Sequence, residues 1–191
     1  MGSHVTYDAR QANEVMSAIQ QCVGQHPDVQ ILWKCRKTAQ PNAKAADAPL
    51  DSRIRLMSWL PATPVAYLTA SKSVLAYVHH GGSNPFHKAL AAGVPQVMCP
   101  VWVDTHEFAT HAEMLGIGVR AEEIAHALDK VVGDSAERRK MGEKSKRLAD
   151  EVGCVDIGRK TAADQIKSHV LQRVQGGNSR SLIRGTRRSM H

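Results

Sequence analysis

The 191-residue sequence lacks any run close to the roughly 20 consecutive apolar residues that a membrane-spanning helix needs. It also lacks a basic and then apolar leader, and its cysteines form no CxxC pair. We therefore expect a soluble, cytoplasmic protein whose thiols are reduced rather than joined in a disulfide scaffold. The cysteines are Cys22, Cys35, Cys99 and Cys154.

Acidic residues are absent from 176–191, a stretch rich in Gly, Ser and Arg that holds four arginines. This stretch therefore carries more than half of the net charge of +7. Its composition predicts a flexible basic tail, which leaves a single domain over 1–175. Nucleic-acid binding would rest on this tail and on net charge alone, so we treat nucleic acid as an improbable partner.

Three kinds of catalytic or binding motif are also missing. The sequence has no GxSxG nucleophile elbow and no Walker-type phosphate loop. Its ten histidines do not follow a familiar metal-ligand spacing with supporting carboxylates. We therefore predict no metal site.

What the sequence does contain is an alternation of helical and strand-like segments. Val15, Ala18, Ile19, Cys22 and Val23 recur at the spacing of one apolar helix face. The predicted strands span 29–35, 53–59, 74–79 and 96–99. The predicted helices after the first span 64–69, 84–92, 105–115, a segment around 124–132, 136–151 and a last one around 163–174. This alternation predicts an α/β domain, a Rossmann-like parallel sheet with helices on both faces.

In such a sheet, ligands bind beyond the carboxyl ends of the strands, and three distinctive segments stand there, at 59–61, 79–84 and 100–104. The segment His80-Gly81-Gly82-Ser83-Asn84 precedes a predicted helix. Glycines allow the backbone to approach a ligand, and the helix N-terminus favours an anion such as a phosphate. The alternative is that the glycines only form a tight turn. Trp59 follows another strand, where its ring stacks on a base or packs into the core.

The order and spacing of four motifs resemble the signature of UDP-glycosyltransferases with the GT-B fold, in the fungal and bacterial sterol- or natural-product-type branch. A Trp-x-Pro stands at 59–61 and a His-Gly-Gly-x-Asn at 80–84. A Gly-Val-Pro stands at 93–95 and a Pro-x-x-x-Asp at 100–104. Weaker similarity extends to about residue 175. The resemblance implies the C-terminal, donor-binding half of such an enzyme, which needs no cofactor and uses a UDP-sugar as its donor substrate.

The resemblance also implies roles for particular residues. Trp59 would stack on the uracil, the Leu60 backbone would bond the base edge, and Asp104 would bond sugar hydroxyls. The diphosphate would be held by His80, Gly81 and Gly82, with Asn84 beside them. The full set implied to bind the UDP-sugar is Gly2, Ser3, Trp59, Leu60, Pro61, His80, Gly81, Gly82, Asn84, Lys88, Asp104 and Thr105. A cloning linker would also leave Gly2 and Ser3, although the continuation from Val5 favours a native turn.

Two departures from the family pattern weaken the expected binding. The family has Ser or Thr where this chain has Pro85, which offers neither a hydroxyl nor an N–H. It commonly has a ribose-binding Glu where this chain has Lys88, whose ammonium cannot accept a hydrogen bond. The Gln that often follows the Asp is replaced by Thr105, which the fungal-type branch tolerates.

The resemblance further implies that the general base and the acceptor pocket belong to an N-terminal domain outside this chain, and that the first strand of the sheet is missing. We therefore expect a fragment, a mis-started gene product or a split enzyme. Its partner would be an acceptor-domain chain, or a second copy bound through the exposed cleft. The alternative is a catalytically inactive, degenerate nucleotide-binding or partner module.

Overall fold

The structure is a computed structural model that describes residues 8–35, 50–70, 73–152 and 160–172. Gly2 and Ser3, Cys154 and the predicted tail at 176–191 lie outside these residues, and so does the Ala-, Pro- and Asn-rich stretch 38–49, whose composition predicts a loop. The suggestion that the first strand of the sheet is missing stays a prediction.

Helices and parallel strands alternate along the chain, which confirms the predicted α/β class. The helices are α1 (Ala9–Gln25), α2 (Pro64–Ala70), α3 (Ser83–Ala92), α4 (Val103–Leu115), α5 (Ile124–Val132), α6 (Ala136–Val152) and α7 (160–172). The strands are β1 (Ile31–Lys34), β2 (Ile54–Met57), β3 (Tyr77–His79), β4 (Gln96–Met98) and β5 (Gly118–Arg120). Strand β5 was not predicted, because three residues, the first of them a glycine, are too few to show a strand pattern.

Helix α1 begins at Asp8, which forms a capping box with Gln11. The Gln11 N–H donates to Asp8 Oδ1 at 2.8 Å, and the Asp8 N–H donates to Gln11 Oε1 at 3.1 Å. These bonds satisfy backbone donors that a helix start otherwise leaves without partners. All five residues of the predicted apolar face are buried, and Val15, Ile19 and Val23 pack with Ile54 of β2.

The strands form two parallel sheets instead of the single sheet that we predicted. Strands β1 and β2 pair in a two-stranded sheet, with Lys34 opposite Met57. Strands β3, β4 and β5 form a three-stranded sheet in that order. Among the described residues, no strand pairs with both sheets.

Strand β4 is the centre of the three-stranded sheet and is buried on both faces. Met98 belongs to a core cluster with Phe86, Ala109 and Ile117, on the side of α3 and α4. Val97 points to the opposite face and packs against α5 and α6. Successive side chains of a strand point to opposite faces, so a strand covered by helices on both sides is buried throughout.

The chain divides into two compact units, Met1–Glu151 and Val152–His191. The first unit contains both sheets and every predicted site residue that the structure describes. This division falls before the boundary at residue 175 that the composition had suggested. None of the described helices is long and apolar enough to cross a bilayer.

Candidate functional site

The turn between β3 and α3 requires glycine at its second position. Gly81 has φ +83°, in the left-handed region that other residues rarely adopt. A Cβ atom added there would lie 2.7 Å from the Thr105 carbonyl oxygen, so there is also no room for a side chain at this position. The turn is thereby held against the start of α4, which brings two of the predicted motifs together.

Helix α3 presents free backbone donors at its N-terminus. Gly82 is the N-cap, with no side chain to cap the helix, and the first backbone bond runs from the Phe86 N–H to the Gly82 carbonyl. The N–H groups of Ser83 and Asn84 therefore have no helical partner. Pro85 at the third helical position has no N–H, so the first turn offers two donors instead of the usual three. An anion is still favoured there by these donors and by the helix dipole.

His80 folds over this helix start. Its Nε2 would lie 2.6 Å from a Cβ added at Gly82, so glycine at position 82 leaves room for the ring. The Trp102 ring meets it edge-on, with the ring centroids 6.0 Å apart. His80 Nδ1 is buried and has no hydrogen-bond partner in the part of the chain that the structure describes. Burial lowers the pKa of His80, and the negative charge of Asp104 opposes that shift, so the imidazole is neutral at pH 7.

Asp104 and Thr105 open helix α4 but face different surroundings. Asp104 is exposed in the first turn, where the helix dipole stabilises its charge. Thr105 is fully buried, and its Oγ1 accepts the N–H groups of Val101 and Trp102, each at 3.0 Å. In this arrangement the Thr105 hydroxyl holds the loop before α4 and is not offered to a ligand.

Trp59 stands just beyond the end of β2 and is 71% exposed, so it is not the core residue that was the alternative interpretation. Lys34, at the end of β1, lies over its face, with Nζ 4.1 Å from the ring centroid. Leu60 is half-buried and Pro61 is exposed. These residues form a second group at the carboxyl ends of the strands, beside the β1–β2 sheet.

Asn84 and Lys88 lie one turn apart on α3, so they share one side of the helix. Asn84 is exposed in the first turn, and Lys88 is half-buried in the second. Residue 88 therefore lies one turn after the free N–H groups, on the side of the helix that carries Asn84.

Sequence reasoning assigned no role to three residues that shape the site. Lys34 covers Trp59, Trp102 contacts His80, and the side chain of His79 is hydrogen-bonded inside the turn. His79 is the last residue of a predicted strand that is otherwise continuously apolar. Its place in that strand was a sequence feature that could have indicated a buried histidine. Among the described residues, no set of three or more His, Cys, Asp or Glu side chains is arranged to hold a metal ion.

Residues 28–155 match the family described as erythromycin biosynthesis protein CIII-like, C-terminal domain. The chain belongs to this family. It is 40% identical over 126 residues to glycosyltransferase sdnJ of Sordaria araneosa, which covers 62% of this chain and 24% of the relative. It is 32% identical over 111 residues to UDP-glucuronosyltransferase 3A2 of Mus musculus, covering 54% and 20% of the two chains. The chain thus spans about a fifth to a quarter of the length of these curated relatives.

Two solved structures share the fold of this family member. A UDP-glucose:anthocyanidin 3-O-glucosyltransferase in complex with UDP superposes with a TM-score of 0.65 at 18% identity, over 80% of this chain and 34% of that protein. Os79 from O. sativa in complex with UDP superposes with a TM-score of 0.65 at 21% identity, over 78% and 35%. These similarities confirm the predicted assignment to the C-terminal half of the GT-B fold.

Proposed function

We propose that this chain is the donor-binding domain of a UDP-sugar-dependent glycosyltransferase. Combined with an acceptor domain, it would transfer a hexosyl group to an acceptor hydroxyl. The family, the glycosyltransferase names of its relatives and the UDP held by its structural neighbours support this proposal. The sugar and the acceptor are not part of the proposal, because the acceptor contacts lie outside this chain in the proposed arrangement.

The observation that carries the proposal is His80, whose Nδ1 has no hydrogen-bond partner among the described residues and whose ring lies against Gly82. Gly82 is the N-cap that precedes the free N–H groups of Ser83 and Asn84. A neutral imidazole and two amides supply donors for diphosphate oxygens without a competing negative charge on the same turn. The Gly81 amide has to be removed from the predicted set of donors, since it already donates to His79. The Gly82 amide, which belonged to the predicted set as well, remains as the glycine donor in the proposal.

The remaining roles follow from the positions of the side chains. The exposed ring of Trp59 would stack on the uracil next to the Leu60 backbone, and the exposed carboxylate of Asp104 would bond sugar hydroxyls. The acceptor hydroxyl attacks the anomeric carbon, the bond to the diphosphate oxygen breaks, and UDP leaves with its negative charge held by His80 and the start of α3. The acceptor proton passes to a base on the acceptor domain. On this mechanism the transfer requires neither a cofactor nor a metal ion, and retention of activity in a chelator tests that part.

The proposal includes a cytoplasmic location and a protein partner. Cys22 and Cys99 form no disulfide within the part of the chain that the structure describes, as is usual in reducing compartments, which supports the location. The partner is an acceptor-domain chain or a second copy of this chain. Fractionation and co-purification test these two points separately.

The alternative is a degenerate module that no longer binds a nucleotide. Pro85 favours it, because this residue removes one of the helix-start donors. Lys88 favours it as well, because an ammonium cannot accept bonds from ribose hydroxyls. These two positions also provide a way to separate the alternatives.

Calorimetric titration of the full chain with UDP tests the proposal. We expect saturable binding that is lost in His80→Ala and kept in the matched control His126→Ala, an exposed histidine on α5. If the folded wild-type chain does not bind UDP but the double variant Pro85→Thr, Lys88→Glu does, the degenerate module is the correct interpretation. Equal UDP binding by the wild type and His80→Ala would refute the proposed site.

A further inference from the structure

His79 is the last residue of β3 and precedes the ligand-binding turn, but its side chain points into the protein. It is only 2% exposed. Its Nδ1 lies 3.0 Å from the Gly81 backbone nitrogen, and its Nε2 lies 2.8 Å from Oε1 of Gln96 on β4. Gln96 is itself fully buried. The imidazole therefore joins the turn to the central strand of the sheet.

These two contacts determine the tautomer of the ring. A backbone N–H can only donate, so Nδ1 has to accept and carries no proton. The neutral ring then carries its proton on Nε2, which donates to the side-chain amide oxygen, Oε1, of Gln96. Burial lowers the pKa of His79 to about 4, against the opposing effect of the bond to Gln96, so this neutral form persists at pH 7.

The bond from Gly81 closes a ring that joins a side chain to the amide two residues on. Asn and Asp side chains form the same connection in Asx-turns, where it sets the course of the backbone. Here it ties the Gly81 amide to a buried side chain, and the left-handed φ of Gly81 changes the direction of the backbone before Gly82. The Gly82 amide and the His80 ring depend on this change of direction.

We propose that His79 is a positioning residue, which, as the Nε2-protonated neutral imidazole, holds the Gly81 amide and so aims Gly82 and His80 at the ligand. The inference rests on the proposed binding of a UDP-sugar. A purely structural role does not explain the choice of residue, because an apolar side chain fills a buried position without the cost of desolvating an imidazole.

Two substitutions separate positioning from simple packing. In His79→Asn, Oδ1 can accept the Gly81 amide through an Asx-turn, although the bond to Gln96 is lost. In His79→Phe, a ring of similar size remains but no acceptor does. We expect UDP to bind about tenfold more weakly to the Phe variant and within about threefold of the wild type to the Asn variant, as for the loss of one hydrogen bond.

The opposite ranking, or unchanged affinity in a folded His79→Phe chain, would overturn the inference. So would a result in which both variants lose thermal stability while the affinity of the folded chain stays the same, since that pattern describes a packing residue.

A second measurement does not depend on UDP. Nitrogen-15 NMR of the wild-type imidazole should show an unprotonated Nδ1 and a protonated Nε2 between pH 6 and 8. The Gly81 amide proton should shift upfield in His79→Phe and less in His79→Asn. A protonated Nδ1, or a Gly81 amide unaffected in both variants, contradicts the geometry. If the NMR results are as expected but the wild type does not bind UDP, the proposed function has failed and the ligand-directed role of His79 fails with it.

Discussion

The ammonium group of Lys34 lies over the face of Trp59, with Nζ 4.1 Å from the ring centroid. The two residues meet because β1 and β2 pair in register and Trp59 follows just after the end of β2. A base that stacks on this face of the ring has to displace the lysine. One face of the exposed aromatic ring is therefore covered by a cation.

Replacing Lys34 with methionine should tighten UDP binding. The variant keeps the aliphatic stem and removes the cation–π contact, which is worth about 0.5–1 kcal/mol at an exposed site. We expect an affinity about two- to fivefold higher by calorimetry. Lys140→Met, on the exposed surface of α6, is the matched control and should leave the affinity unchanged. Weaker binding by Lys34→Met would mean that the ammonium contacts the ligand directly.

Replacing Gly81 with alanine should destabilise the protein. The new Cβ meets the Thr105 carbonyl oxygen at 2.7 Å, and the backbone is in the left-handed region. We expect a loss of about 2 kcal/mol in the free energy of unfolding, measured with urea. Gly142→Ala is the control, because nothing lies within 4 Å of that Cβ inside helix α6. It should gain about 0.5–1 kcal/mol, and equal effects at the two sites would contradict the geometry.

His79 should make stability depend on pH in the acid range. Its pKa is about 4 in the folded protein and 6.5 in the unfolded chain, so the unfolded chain binds more protons between these values. The contribution of His79 to the free energy of unfolding is complete above pH 6.5 and is lost as pH falls towards 4. It totals roughly 3 kcal/mol. His80, whose pKa is also lowered, acts in the same direction. The difference between wild type and His79→Asn, measured by urea unfolding from pH 7 to pH 4, should isolate the His79 part. A difference that is independent of pH would mean that the ring is not buried in its neutral form.

Replacing Thr105 with valine should open the loop before α4. The variant keeps the shape of the side chain but leaves the N–H groups of Val101 and Trp102 without their acceptor. We expect a loss of about 1–3 kcal/mol in the free energy of unfolding. Ser17→Ala on the exposed face of α1 also removes a hydroxyl, but one that only bonds back to the Asn13 carbonyl of its own helix. Its effect should stay within about 0.5 kcal/mol, and a similarly small effect at Thr105 would show that its hydroxyl bonds are dispensable.

The sequence by itself determined the order of the helices and of the first four strands, the buried face of α1 and the glycine turn before α3. Each of these features follows from the periodicity or turn chemistry of a few neighbouring residues, so it can be predicted without knowing the fold. The position of the site beyond the strand ends follows in the same way from the parallel α/β topology.

Only the tertiary structure decided which polar groups in the site are available. The Gly81 amide is bonded to His79, the Thr105 hydroxyl is bonded to the backbone before α4, and Lys34 covers Trp59. The bond from His79 to Gln96 joins neighbouring strands, and β5 exists because β4 offers it an edge. These contacts depend on which segments meet across the sheet. The spacing of residues along one segment does not specify which other segment packs against it.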